Sequence, residues 1–342
     1  MLLLALESSC DETAAAVVKD GRTVLSSIVA SQISTHAEYG GVVPEIASRQ
    51  HLEAVSIVVE QALQEAGLGI TDIEGVAVTQ GPGLAGALLV GVSAAKGLSF
   101  GRNIPLVGVN HIEGHLLAVF LERPVEFPFI ALAVSGGHSH LYRVDGIGRY
   151  KTLGQTVDDA AGEAFDKVAK LIGLPYPGGV AIDRLATSGD PQAIKFPRPL
   201  LHDGTFNFSF SGLKTAVLTH VGKHPEAKGA GINDLAASFQ AAVCEVLTKK
   251  TAAAVAETGI KRLVVAGGVA CNSGLRRSMA QYAEANGVEL SIPSPKLCAD
   301  NAAMIAVPGD FYLEAGYRSG FDLDALPVWP LDKLAARFQG GK

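Results

Sequence analysis

The sequence predicts an α/β protein of two lobes related by internal duplication, and three observations carry that prediction. The run "LLALESSCDETAAAVV" near the start passes from apolar to polar and back, as two strands joined by a polar turn would. "FIALAVSGGHSHLYRV" (Phe129 to Val144) repeats that plan. A second pair follows: "EGVAVTQGPGLAGALLVGVSAAKG" reads as a buried strand, a glycine turn at Gly81 and Gly83 and a small-residue helix, and "KRLVVAGGVACNSGLRRSMAQYAE" repeats it with Gly267 and Gly268.

Setting Ser8 against Ser135 and Gly81 against Gly267 leaves the second half longer by roughly 60 residues, which predicts an insertion between its two motifs. That insertion is placed around 150–221, where "GEAFDKVAKLIGLPYPGG" reads as a helix ending in a Pro/Gly turn and "FNFSFSGLKTAV" as an alternating strand before a helix. Two α/β lobes whose polar hairpin turns face a central cleft form the actin-like ATPase (ASKHA) superfold, shared by sugar kinases and heat-shock ATPases. The expected boundaries are 1–125 for the first lobe, 126–325 for the second and 326–342 for a tail. A Rossmann-like pair is the alternative, weakened because no GxGxxG follows the first strand.

Taken in chain order, "LESSCDET" places Glu7, Asp11 and Glu12 around the first turn, where carboxylates could serve as a base or hold magnesium. "HAEYGGVVPEIASRQH" reads as a polar loop running into a helix. "VNHIEGHLLA" sets His111 and His115 four apart on a helix, so both imidazoles point the same way and could share one metal ion. Zinc proteases place a glutamate one or three residues after the first histidine; here Glu113 is two residues on, which turns it to the opposite helix face. The metal reading therefore stands without the protease reading.

In the second lobe, the glycines of "VSGGHSH" would let backbone N–H groups approach a phosphate at Ser135, Gly136 and Gly137, although a plain hairpin fits as well. "GEAFDKVAK" brings Glu163, Asp166 and Lys167 to a helix start, for ribose hydroxyls or for capping. Asn272 in "VVAGGVACNSGL" suits nucleoside recognition or an N-cap. Asp300 in "CADNAAMIA" precedes an apolar helix; it is either that helix's N-cap or the further hard ligand that a two-histidine site needs. Such a site is expected to lose its metal below about pH 6, near the free histidine pKa of ~6.5.

Composition narrows the class. Hydrophobic residues are 48% and charged ones 18%, with 39 glycines, so the chain is globular and rich in tight turns. Cys10, Cys244, Cys271 and Cys298 show no paired spacing, which points to a reducing compartment. "MLLLALESSC" lacks a basic leader, and the most apolar helix candidate is interrupted by glycines, Ser93 and Lys96, so a cytoplasmic protein without membrane spans is expected. The net charge of −6 argues against a general nucleic-acid binder but leaves room for local cations such as Lys195, Arg198, Lys214, Arg276 and Arg277.

The runs "ESSCDETAAAVV", "HAEYGGVVPEIASRQH", "TQGPGLAGALLVG", "NHIEGHLLA", "VSGGHSHL", "GEAFDKVAKLIGLPYPGG", "FSFSGLKTAV", "VAGGVACN" and "CADNAAMIA", in this order, closely resemble the universal tRNA N6-adenosine threonylcarbamoyltransferases, once described as sialoglycoproteases. The resemblance spans Glu7 to Ala306. It implies one divalent metal per subunit, usually taken as iron with zinc as the alternative, on His111, His115 and Asp300. It also implies threonylcarbamoyl-adenylate, or ATP or AMP, bound by Ala133, Val134, Ser135, Gly136, Gly137, Asp166, Gly179, Asp183 and Asn272. The acceptor would be the adenosine beside the anticodon of tRNAs reading codons that begin with A, with Asp11 and Glu12 the candidates for its amine proton. A paralogous, non-catalytic dimerisation partner and a small ATPase are the implied protein partners, besides tRNA. A kinase or ATPase of the same superfold is the competing enzymatic reading, and the histidine pair, which magnesium does not favour, speaks against it. A non-catalytic member of the family would lack His111, His115 and Asp300.

Overall fold

The computed structural model describes residues 1–338, and of the expected tail 339–342 lie outside the described residues. The chain opens with β1 (Leu2–Glu7), β2 (Glu12–Lys19), β3 (Thr23–Ser31), α1 (Ile33–Ala37), α2 (Pro44–Glu65), β4 (Gly75–Gly81), α3 (Ala85–Arg102), β5 (Leu106–Asn110) and α4 (His111–Leu117). It continues through β6 (Phe129–Val134), β7 (Ser139–Gly146), β8 (Arg149–Gln155), α5 (Ala161–Leu171), α6 (Gly178–Ala186), α7 (Ser211–Lys223), α8 (Ile232–Thr258), β9 (Arg262–Ala266), α9 (Ser273–Asn286) and β10 (Glu289–Ser291). It closes with α10 (Pro295–Cys298) and α11 (Ala303–Glu314).

Two compact units result: Met1–Val125 with Gly146–Tyr150 and the chain from Lys296 onward, and Glu126–Asp145 with Lys151–Pro295. Each holds one five-stranded sheet, ordered β3-β2-β1-β4-β5 in the first and β10-β9-β6-β7-β8 in the second. In each, an antiparallel hairpin (β1 with β2, β6 with β7) has its first strand paired in parallel with the strand of the glycine motif (β4, β9). The duplicated hairpin and strand–glycine–helix plan read from the sequence is thus present twice.

In the first unit β1 and β4 are buried on both faces, which explains their unbroken apolar runs. The turn after β1 is closed on the start of α3: the Leu84 N–H donates to the Ser9 carbonyl at 2.8 Å. A Cβ on Gly83 would lie 2.5 Å from that same oxygen, so the glycine permits the approach. α11 packs Ala303, Met304, Ile305 and Ala306 into one core with Leu3, Ala5, Ala77, Val107 and Val109. The sequence reading carried the second lobe to 325; α11 instead returns to the first unit because its apolar surface completes that core.

The second unit departs from expectation at "FNFSF". Its alternation predicts a strand, yet among the described residues only one isolated bridge, Thr156 with Phe208, forms there. The Asp158 carboxylate accepts from Phe210 N at 2.8 Å and from the Ser211 hydroxyl at 2.8 Å, so the backbone turns into α7 instead of extending a ladder. No described helix is long and apolar enough to cross a membrane. None of the four cysteines forms a disulfide among the described residues.

Candidate metal centre and substrate residues

α4 begins where it does because Asn110, the last residue of β5, caps it. Its Oδ1 accepts from Ile112 N at 2.9 Å and Glu113 N at 3.3 Å. This fixes His111 and His115 on one face with ring centroids 4.6 Å apart. Asp300 reaches both: its Oδ1 lies 3.0 Å from His115 Nε2 and 3.7 Å from His111 Nε2. One ligand atom from each of the three residues lies within 4.8 Å of the others. The bland role for Asp300 is filled by its neighbour, since Asn301 Oδ1 accepts from Met304 N at 3.0 Å at the head of α11. Two imidazoles and a carboxylate, two of them buried, are a donor set for a borderline divalent ion such as iron or zinc and a poor one for magnesium.

Behind the pair sits Glu7, which the sequence reading placed at the turn without linking it to a histidine. Its Oε2 is 3.0 Å from His111 Nδ1. Burial pulls the His111 pKa down, but the negative charges of Glu7 and Asp300 more than reverse this and push it up to about 9. Metal capture must therefore displace a proton that is held well above pH 6. The apparent affinity for a divalent ion should rise about tenfold per pH unit through neutrality and level off near 9. Chelator-competition titrations from pH 6.5 to 9 check this, and a flat profile would contradict it.

Glu113 points away from the two histidines, as its spacing predicts. Its Oε1 accepts from the hydroxyls of Tyr150 at 2.7 Å and Tyr312 at 2.5 Å and from Gly148 N at 3.0 Å. The residue is fully buried in this arrangement. Asp11 is buried and Glu12 accepts from the Ser31 hydroxyl at 3.1 Å. Burial, followed by the charges of Asp11 and Asp300, raises the Glu12 pKa to about 9. A carboxyl held this high favours its protonated form at neutral pH.

In the second unit, Ala133 and Val134 are buried on β6 and lead into the turn of Ser135, Gly136 and Gly137. The carbonyls of Ser135 and Gly136 accept from Gly162 N and Glu163 N, each at 3.2 Å, so the turn closes the head of α5. A Cβ at Gly162 would lie 2.6 Å from the Ser135 oxygen, whereas one at Gly136 or Gly137 would meet nothing within 4 Å. The outer side of this turn is therefore open. On α5, Asp166 Oδ1 accepts from Gly178 N at 2.7 Å, beside Gly179. Asp183 accepts from Ser273 N at 3.1 Å and from the Ser273 hydroxyl at 2.8 Å, which brings it next to Asn272. Asn272 caps α9 through Leu275 N at 2.9 Å and donates to Gln240 Oε1 at 2.7 Å. Glu163 forms an ion pair with Lys167 at 2.8 Å and no side-chain cap. Of the scattered cations, Arg198 pairs with Glu245 at 2.8 Å and Lys214 lies 3.9 Å from Asp159, while Lys195 and Arg277 make no ion pair among the described residues.

Residues 23–307 match the family described as tRNA N6-adenosine threonylcarbamoyltransferase. A protein of that name from Geobacter sp. (strain M21) is 89% identical over 339 residues, covering 99% of both chains. Another, from Geotalea uraniireducens (strain Rf4), is 71% identical over 342 residues and the whole of both. Among solved structures, T. kodakarensis HypF aligns with 92% of this chain and 48% of its own at a TM-score of 0.62 and 15% identity. The Acidaminococcus fermentans (R)-2-hydroxyglutaryl-CoA dehydratase component A aligns with 93% of this chain and all of its own at 0.56 and 15%. These distant likenesses concern the fold, which is the two-sheet, duplicated actin-like ATPase architecture. The full-length identity to curated relatives, together with the family match over most of the sequence, places this chain in the tRNA N6-adenosine threonylcarbamoyltransferase family.

Proposed function

We propose that His111, His115 and Asp300 hold the divalent ion of a threonylcarbamoyl transfer to tRNA, and that the turn Ser135–Gly137 with Asp166, Gly179, Asp183 and Asn272 holds the adenylate that donates the group. The activity class follows from the family: the chain is an acyltransferase that modifies the N6 amine of an adenosine in tRNA. The finer reading specifies threonylcarbamoyl-adenylate as donor and the adenosine adjacent to the anticodon as acceptor. The observation that carries the metal assignment is the convergence of two imidazoles and a carboxylate while Asn301 caps the helix.

In the reaction the N6 amine attacks the threonylcarbamoyl carbonyl. A C–N bond forms, the C–O bond to the phosphate breaks, AMP leaves with the bonding pair, and the amine loses one proton. A divalent ion held by His111, His115 and Asp300 would supply Lewis acidity. Asp11 is assigned the amine proton, because Glu12 already carries one. The open side of the Gly136–Gly137 turn gives backbone amides access to a phosphate without interference from a side chain.

Two further parts of the reading concern surroundings. Exposed apolar side chains on α2 and α3, Leu52 and Ile57 on the first and Leu89 and Phe100 on the second, support a protein partner such as a paralogous, non-catalytic chain. A small ATPase belongs to the same reading, as does a cytoplasmic site of action, where the tRNA acceptor resides. Unmodified tRNA incubated with threonylcarbamoyl-adenylate, the metal-loaded protein and the partner chains should yield threonylcarbamoyladenosine on nucleoside analysis. Absence of that nucleoside would refute the donor assignment.

The glycine turn gives a separable test. Gly137→Val should leave the fold intact and lower adenylate affinity about tenfold or more, because the added atoms enter only the open side. Gly162→Ala should instead destabilise the protein through the Ser135 carbonyl. Calorimetric binding and thermal unfolding of the two variants distinguish them, and unchanged binding by Gly137→Val would give the turn a structural role alone.

A further inference from the structure

We infer that Glu7 is a positioning residue for the metal centre: it holds the His111 ring so that Nε2, and not Nδ1, is presented to the ion. This rests on the reading of His111, His115 and Asp300 as ligands. Glu7 ends a strand whose other core residues are all apolar, and it is only 1% exposed. A carboxylate in that position costs several kcal/mol unless its oxygens are met by donors. They are met on every side. Ser9 N donates to Oε1 at 2.5 Å, and the Thr79 hydroxyl, from the neighbouring parallel strand, donates to Oε2 at 2.5 Å.

The remaining contact of Oε2 is His111 Nδ1 at 3.0 Å, with the Ser9 hydroxyl 3.1 Å from the same nitrogen. An ionised carboxylate can only accept, so it selects the ring form with a proton on Nδ1. That leaves Nε2, which faces Asp300, as the nitrogen available to an ion. The arrangement is one-sided. His115 Nδ1 is buried without a hydrogen-bond partner among the described residues, so only His111 has a carboxylate on its Nδ1 side. Glutamine cannot replace Glu7 here, since its NH2 would confront either Ser9 N–H or the donors at Oε2.

The test is a cobalt(II) titration of the metal-free, full-length protein, followed by the visible absorption of the bound ion. Glu7→Gln should bind one ion with a Kd raised about 10–100-fold and with altered bands, because outer partners of ligating histidines set their orientation and basicity. A merely structural role would lower the melting temperature of Glu7→Gln and leave its Kd at the wild-type value, which would overturn the inference while the ligand assignment stands. Failure of the wild type to bind cobalt, or wild-type binding by His115→Ala, would overturn the ligand assignment and this inference with it. Should Glu7→Gln not fold, nitrogen-15 NMR of the zinc-loaded wild type decides: a protonated Nδ1 and ligated Nε2 on His111 are expected, and ligation through Nδ1 would overturn the inference.

Discussion

Asp300→Ala and His115→Ala are each expected to lower bound metal from one ion per chain to background and to reduce transfer to tRNA by at least about a hundredfold. Two remaining ligands seldom hold a divalent ion against water, and the three residues here contribute one atom each to a single cluster. The fold should persist in both variants, because a site with open coordination positions contributes less to folding than a closed structural one. Asn301→Ala is the informative neighbour. It removes the cap on Met304 N and should cost about 1 kcal/mol of stability while leaving metal content at wild type. Metal analysis of purified protein alongside nucleoside analysis of the tRNA product reads both effects. Full occupancy in Asp300→Ala would mean that a different third ligand completes the histidine pair.

The second large effect is on stability. Glu113→Ala deprives two buried tyrosine hydroxyls and the Gly148 N–H of their common acceptor. Each orphaned buried donor costs about 1–3 kcal/mol, so the loss should be about 3–9 kcal/mol and the melting temperature should fall by roughly 5–12 °C. Glu113→Gln, which keeps one acceptor oxygen, should recover part of it. Metal content should be unaffected by either change, since the carboxylate faces Tyr150 and Tyr312 rather than the histidines. Calorimetry and metal analysis on the same preparations provide the check: an unchanged melting temperature with loss of metal would reverse the assignment and reopen a role for Glu113 at the ion.

Read along the chain, local chemistry was enough for much of this. Strand periodicity and glycine spacing gave both hairpins and both strand–glycine–helix units, because each is encoded within about 25 contiguous residues. The four-residue spacing of His111 and His115 set their shared face, and the two-residue offset turned Glu113 away, since a helix fixes direction by residue number alone. Other features were open in the sequence. Asp300 reads in the sequence as either a cap or a ligand, and only the packing of α11 on the first sheet shows that Asn301 meets Met304 N while Asp300 turns to the histidines. "FNFSF" alternates like a strand, but Asp158, about fifty positions earlier, takes its amides.

What the sequence by itself determined is thus the duplicated α/β plan, the histidine pair and the exclusion of a protease base, all of them short-range consequences of backbone geometry. What only the tertiary structure decided is which distant groups meet that pair. Glu7 reaches His111 across 104 residues and Asp300 reaches His115 across 185. Burial raises the proton affinity of Glu12, while at His111 the charges of Glu7 and Asp300 outweigh the opposing effect of burial. These outcomes depend on strand register and core packing, where the partners of a charge are chosen by three-dimensional proximity and low dielectric rather than by spacing along the chain.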